Sequence, residues 1–108
     1  MSHLHLIRVD IDPALEDDFN HWYDTVHIPA ILACPGWLSA RRFLATDGGP
    51  KFIAAYEVDG PWAYETEIYL ATRGFDRFAP HIRNLARVLG IAMGPAAVAP
   101  AHATSDAG

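Results

Sequence analysis

The chain has 108 residues, a formal charge of −5, a hydrophobic fraction of 51% and a charged fraction of 19%. That length makes one domain, and the acidic balance excludes a surface built to track nucleic-acid phosphates. One cysteine, Cys34, excludes an intramolecular disulfide and a cysteine-based zinc cluster, and no apolar run approaches the length of a membrane span.

The apolar content exceeds what one small domain readily hides, so association with a second copy is expected. The start, MSHLHLIRVD, lacks the basic opening and small-residue cleavage site of a secretory signal, which predicts a soluble cytoplasmic protein with no membrane partner.

HLHLIRVDI (3–11) is rich in branched aliphatics and bounded by Asp12-Pro13, which predicts a strand. Residues 12–28 then show helical period, with Leu15, Phe19, Trp22 or Tyr23, and Val26 recurring at three- and four-residue steps. Asp12 is placed to cap this helix, Pro13 to open it, and Glu16, Asp17 and Asp18 suit its positive end. Pro29 is expected to end or kink it near Ile28. ACPG (33–36) predicts a turn. WLSARRFLA (37–45) and KFIAAYEVD (51–59) predict two strands joined by TDGGP (46–50), where Gly48-Gly49 supplies positive φ.

Gly60-Pro61 breaks the chain before a second helical stretch, 62–72. Residues 75–84 predict a short helical turn interrupted by Pro80. Residues 84–93 fit a helix or a final strand, and Gly90 with Val88–Ile91 favours the strand. The domain is expected to span 1–94. Residues 95–108 are small, proline-dotted and nearly uncharged, the composition of a disordered tail.

The order strand, helix, strand, strand, helix, strand is the split βαβ pattern. It implies an α+β domain with a four-stranded antiparallel sheet and two helices on one face. The other sheet face is left bare, lined by Phe52, Ala54, Tyr56 and Val58 or by their out-of-phase neighbours. Packing two such faces together would make a homodimer.

FNHWYDTVHIPAILACPGWLSARRF (19–43), followed by KFIAAYEVDGPWAYET (51–66), resembles the ferredoxin-like, dimeric α/β-barrel superfamily, and within it the small EthD-like proteins. The shared features are an aromatic-acid-x-x-His-x-Pro helix end, a Pro-Gly turn and an arginine-bearing strand, over roughly residues 3–93. The resemblance implies a cleft between the helices and the sheet that takes a small hydrophobic carbonyl or aromatic compound. It spans several chemistries: cyclases, isomerases, decarboxylases, dehydratases, cofactor-free monooxygenases and haem-handling proteins. At one position this chain departs from the pattern: Val26 stands where related sequences often carry an acid, so no carboxylate adjoins His27.

On a regular helix Asn20, Asp24 and His27 share one stripe, beside the apolar one. Asp24 would orient the His27 imidazole, which would act as general base near neutral pH. Equally, a histidine at this position can cap the helix C-terminus. Tyr23, Asn20 or Tyr56 would steady an oxygen that gains charge, and Trp22 would help to desolvate it. Arg41 and Arg42 point to opposite sheet faces, so one needs an acid such as Glu57 or an anionic ligand, and Arg41 is taken as a substrate contact. His81, after Pro80, is a further candidate. His3 and His5 share a strand face, but no third ligand has metal-site spacing. Arg73, Arg77, Arg83 and Arg87 predict a solvated face or local ion pairs.

With what the resemblance implies about chemistry and substrate, the expectation is a cofactor-independent and metal-independent lyase or isomerase, of cyclase, dehydratase or decarboxylase type, acting on a small hydrophobic carbonyl compound through His27. The alternatives are a cofactor-free monooxygenase of phenolic or anthrone-like rings, in which Trp22, Trp37 and Trp62 would form the cage, and a binding protein for haem or a lipophilic metabolite.

Overall fold

The structure, a computed structural model, describes residues 2–101. Strand β1 (His3–Ile11) is followed by a 3₁₀ turn (Pro13–Leu15), helix α1 (Glu16–Trp22), a π turn (Tyr23–His27) and helix α2 (Ile28–Leu32). Strands β2 (Trp37–Leu44) and β3 (Phe52–Val58) form a hairpin. A 3₁₀ turn (Pro61–Tyr64), helix α3 (Glu67–Thr72), another 3₁₀ turn (Asp76–His81) and strand β4 (Ile82–Ile91) complete the domain.

The sheet is antiparallel, in the order β2-β3-β1-β4. The central pair is therefore β1 and β3, and their alternation decides the layers. Ile7, Val9 and Ile11 of β1 and Ala54, Tyr56 and Val58 of β3 are buried under the helices. The bare face is thus lined by the out-of-phase set, Ile53, Ala55 and Glu57, together with Leu4, Leu6, Phe43 and Val88. Residues 84–93 resolve in favour of a strand. Asn84, at φ +56, enters a bulge beside β1 and donates to Asp10 at 2.8 Å.

The helix does not stop at Pro29. An α-helical Pro29 would lack an N–H for the Thr25 carbonyl and would press its ring against that carbonyl. The chain widens instead into a π turn, in which the Ile28 N–H donates to Tyr23 O, and then continues through Pro29 to Leu32. The wider turn lags in rotation, and this changes which residues face the sheet. The buried stripe runs Phe19, Trp22, Tyr23, His27, Ile31, whereas Val26 is 54% exposed. Val26 thus leaves the apolar stripe expected for it, and His27 takes its place. His27 lies inside a continuous helix rather than at a C-cap.

Phe19 and Phe78, each no more than 1% exposed, anchor the core. Truncating Phe19 to Ala would cost about 3–5 kcal/mol. The turn before β2 needs Gly36: its φ is +86, and an added Cβ would fall 2.6 Å from the Ala63 Cβ. Residues 95–100 carry no regular structure and are exposed, and 102–108, part of the expected tail, lie outside the described residues. No helix among the described residues is long and apolar enough to cross a membrane.

Candidate active site

A cavity of about 410 Å³ lies between the helices and the sheet. The sheet supplies its floor through His5 and Ile7 of β1, Trp37 of β2, Tyr56 of β3 and Arg87 of β4. Tyr23, His27 and Ile31 descend from the first helical stretch. Tyr64, Tyr69, Arg73 and Phe75 close the opposite side. No carboxylate lines the cavity among the described residues.

His27 is buried, with its ring stacked on Trp22 at a centroid distance of 4.7 Å and an interplanar angle of 20°. Tyr23 meets the ring edge-on at 5.0 Å. Neither imidazole nitrogen has a hydrogen-bond partner among the described residues. Burial lowers the His27 pKa to about 4, so the ring is neutral near pH 7 and keeps a free acceptor nitrogen facing the cavity.

His5 shares this condition. Its pKa is also lowered to about 4, by burial first and by the Arg87 charge second. A hydrogen bond of 3.0 Å joins His5 Nδ1 and the Tyr64 hydroxyl. Trp37 holds the wall beside it: its indole donates to the Ala63 carbonyl at 3.2 Å and lies parallel to Tyr69, 4.6 Å away. The Tyr56 and Tyr23 hydroxyls are 3.5 Å apart. Burial pushes the Tyr56 phenol far up and the Tyr23 phenol up, so both remain hydrogen-bond donors.

Of the residues singled out in the sequence, His27, Tyr23 and Tyr56 meet in the cavity. Asp24 does not reach His27. It pairs with Arg42 at 3.0 Å, and Asn20 accepts from the same guanidinium at 2.7 Å. The π turn explains this: it carries His27 around toward the sheet while Asn20 and Asp24 remain on the flank. Arg42, not Arg41, is the arginine on the covered face, and its acid is Asp24 rather than Glu57. Its guanidinium also lies 4.5 Å over the Tyr23 ring, which fixes that side chain in the cavity wall. Arg41 is exposed on the opposite sheet face, paired in register with Ala55, and cannot contact a ligand in this cavity. Trp22 supports His27 from behind without lining the cavity. His81 lies at the end of the last 3₁₀ turn, away from it. Trp62 is 44% exposed and donates to Asp59 instead of joining a cage.

His5, Tyr64, Tyr69, Arg73 and Arg87 were not predicted as site residues. One signal for His5 was present: it occupies the buried parity of β1, in phase with Ile7, Val9 and Ile11, where a polar ring needs a reason. No group of three or more His, Cys, Asp or Glu side chains among the described residues is placed to hold a metal ion.

Solved structures share this architecture. A protein of Mycobacterium tuberculosis, Rv0793, superimposes with a TM-score of 0.69 at 16% identity, covering 90% of this chain and 100% of its own. An EthD family protein of Bacillus halodurans gives 0.61 at 19% identity, covering 84% of this chain and 99% of its own. The shared fold is the ferredoxin-like α+β fold, a four-stranded antiparallel sheet with helices on one face. A monooxygenase from the ActVA-Orf6 gene of Streptomyces coelicolor, in complex with nanaomycin D, gives 0.60 at 18% identity, covering 93% of each chain. No family model matches the sequence, and no curated protein matches it.

Proposed function

We propose that this protein is a cofactor-independent oxygenase of a small, electron-rich phenolic or anthrone-like ring. The observation that carries the reading is the neutral, unpartnered His27 imidazole facing an aromatic-walled cavity. A flat ring fits between the faces and edges of Tyr23, Trp37, Tyr56 and Tyr69. The volume lies within the range usual for small-molecule sites.

His27 takes the acidic proton of the bound ring, and the resulting anion is held by the Tyr56 and Tyr23 hydroxyls. As the anion forms, the imidazolium gains a counter-charge, which offsets the burial that otherwise disfavours it. The electron-rich ring carbon then reduces O₂. Oxidation of a ring CH₂ to a carbonyl consumes one O₂ and releases one water, so no external reductant is needed. The Streptomyces monooxygenase, which has the same fold and was solved with nanaomycin D, is in keeping with this reading.

The bare sheet face carries Leu4, Phe43 and Val88, 41%, 48% and 53% exposed. Pairing of two such faces in a homodimer accounts for them.

Oxygen uptake by the purified protein with a panel of anthrones, naphthols and hydroquinones, without added flavin or metal, tests the function. Uptake matched to product supports it. Product without oxygen uptake returns the site to the lyase or isomerase class, and a haem absorption band in the purified protein indicates haem binding instead.

A further inference from the structure

The cavity rim is electrostatically one-sided. Arg73, at the C-terminal cap of α3, and Arg87, in the middle of β4, both line it. Elsewhere Arg8 pairs with Asp47 and Arg42 with Asp24, while Arg41 and Arg77 lie over phenylalanine rings. Neither Arg73 nor Arg87 has an ion-pair or hydrogen-bond partner among the described residues. The chain has 13 acidic residues against 8 basic ones, so two arginines left unpaired at one cavity do not follow from a shortage of acids.

Their fields converge on one wall. Burial pushes the Tyr69 phenol up, while Arg73 and Arg87 both pull it down, which places both guanidiniums within electrostatic reach of the same ring. Tyr69 is stacked on Trp37, so the charged rim adjoins the slot proposed for the aromatic ring. Guanidinium forks match the planar geometry of a carboxylate and are the side chains best suited to hold one beside aromatic surface.

We propose that Arg73 and Arg87 recognise a carboxylate on the substrate, which makes the substrate a hydroxylated aromatic acid rather than a neutral phenol. This rests on the proposed reading for the aromatic half of the ligand. The ring lies against Trp37 and Tyr69 with its hydroxyl toward His27, and the carboxylate stays at the rim.

Binding of a matched pair, 6-hydroxy-2-naphthoate and 2-naphthol, whose hydroxyl and carboxylate positions lie at opposite ends of the ring system, to the full-length protein is the test, read by titration calorimetry without turnover. The acid should bind at least about tenfold more tightly at low salt, and the gap should narrow as salt is raised to roughly 0.3 M. Arg73→Gln with Arg87→Gln should abolish the preference, while Arg73→Lys with Arg87→Lys should retain part of it. Equal affinity for the two probes, or a preference that survives the double glutamine variant with native thermal stability, overturns the proposal. The outcome is independent of oxygen chemistry: a preference for the acid without oxygen uptake leaves this proposal standing and removes the oxygenase reading. Oxygen uptake with naphthol and no preference does the reverse.

Discussion

The His27 imidazole lies flat against the Trp22 indole, 4.7 Å between ring centroids. The indole covers one face of the imidazole, and the cavity receives its edge. This arrangement exists because the helix widens between Tyr23 and His27. A regular helix would have put Val26 in that place and left His27 beside Asp24.

Activity should reflect this burial. Burial holds His27 neutral until about pH 4, so the acid limb of kcat/KM should fall near 4 rather than at the ordinary imidazole value of 6.5. A pH–rate profile on an active substrate checks it, and a limb near 6.5 would show that the ring is solvated. His27→Gln should lower kcat by about 10²–10⁴-fold.

Stability should fall over the same interval. His5 and His27 in the unfolded chain take up protons near pH 6.5, but in the folded protein only near 4. Between these limits the unfolded state binds more protons, so stability declines as the pH drops from about 6.5 to about 4 and both contributions are lost by the lower limit. Carboxylates titrate in part of this range in every variant. The informative quantity is therefore the slope of Tm against pH in wild type compared with His5→Asn and His27→Asn, each of which should be flatter.

Asp24 and Arg42 should behave as supports. Asp24→Asn weakens a half-exposed ion pair and should change kcat less than about threefold, with a loss of up to about 1 kcal/mol in stability. Arg42→Ala removes the bonds to Asn20 and Asp24 and uncovers the Tyr23 ring. It should cost about 1–3 kcal/mol and raise KM as Tyr23 loosens. Chemical denaturation and steady-state kinetics on both variants separate these effects. A loss in Asp24→Asn as large as that in His27→Gln would restore the acid–imidazole pair.

Val88→Asp should yield a monomer. Val88 lies in a cross-sheet row with Leu6, Ala55 and Arg41 on the bare face. A carboxylate there would be desolvated if a second sheet packed on it. Light scattering coupled to size exclusion reads the mass directly, and a wild-type monomer at micromolar concentration would remove the homodimer.

Strand composition and turn chemistry made most of the fold legible. The branched aliphatics of 3–11, closed by Asp12-Pro13, and the glycine turn at Gly48 marked the strands, while the parity of the sheet faces stayed open until the helices were placed. The site was less legible, because it depends on a turn that sequence periodicity does not reveal. A proline normally stops a helix, and nothing local to Pro29 shows that a π turn will accommodate it. That one added residue of rotation moved Asp24 and Asn20 out of the site. Arg73, Tyr69 and Arg87 were hidden for another reason: they converge only through the packing of α3 and β4, which share no motif. His5 was visible as a polar residue on a buried stripe, but its partner Tyr64 lies 59 positions away.

The most direct measurement is anaerobic mixing of the protein with a saturating concentration of 6-hydroxy-2-naphthoate or an anthrone, followed by absorption spectroscopy at neutral pH. With oxygen excluded, transfer of the ring hydroxyl or CH₂ proton to His27 should appear as the red-shifted band of the bound anion in wild type and be absent in His27→Gln of equal ligand occupancy. The same anion band in both proteins, or none in wild type at saturation, would contradict the assignment of His27 as the proton acceptor.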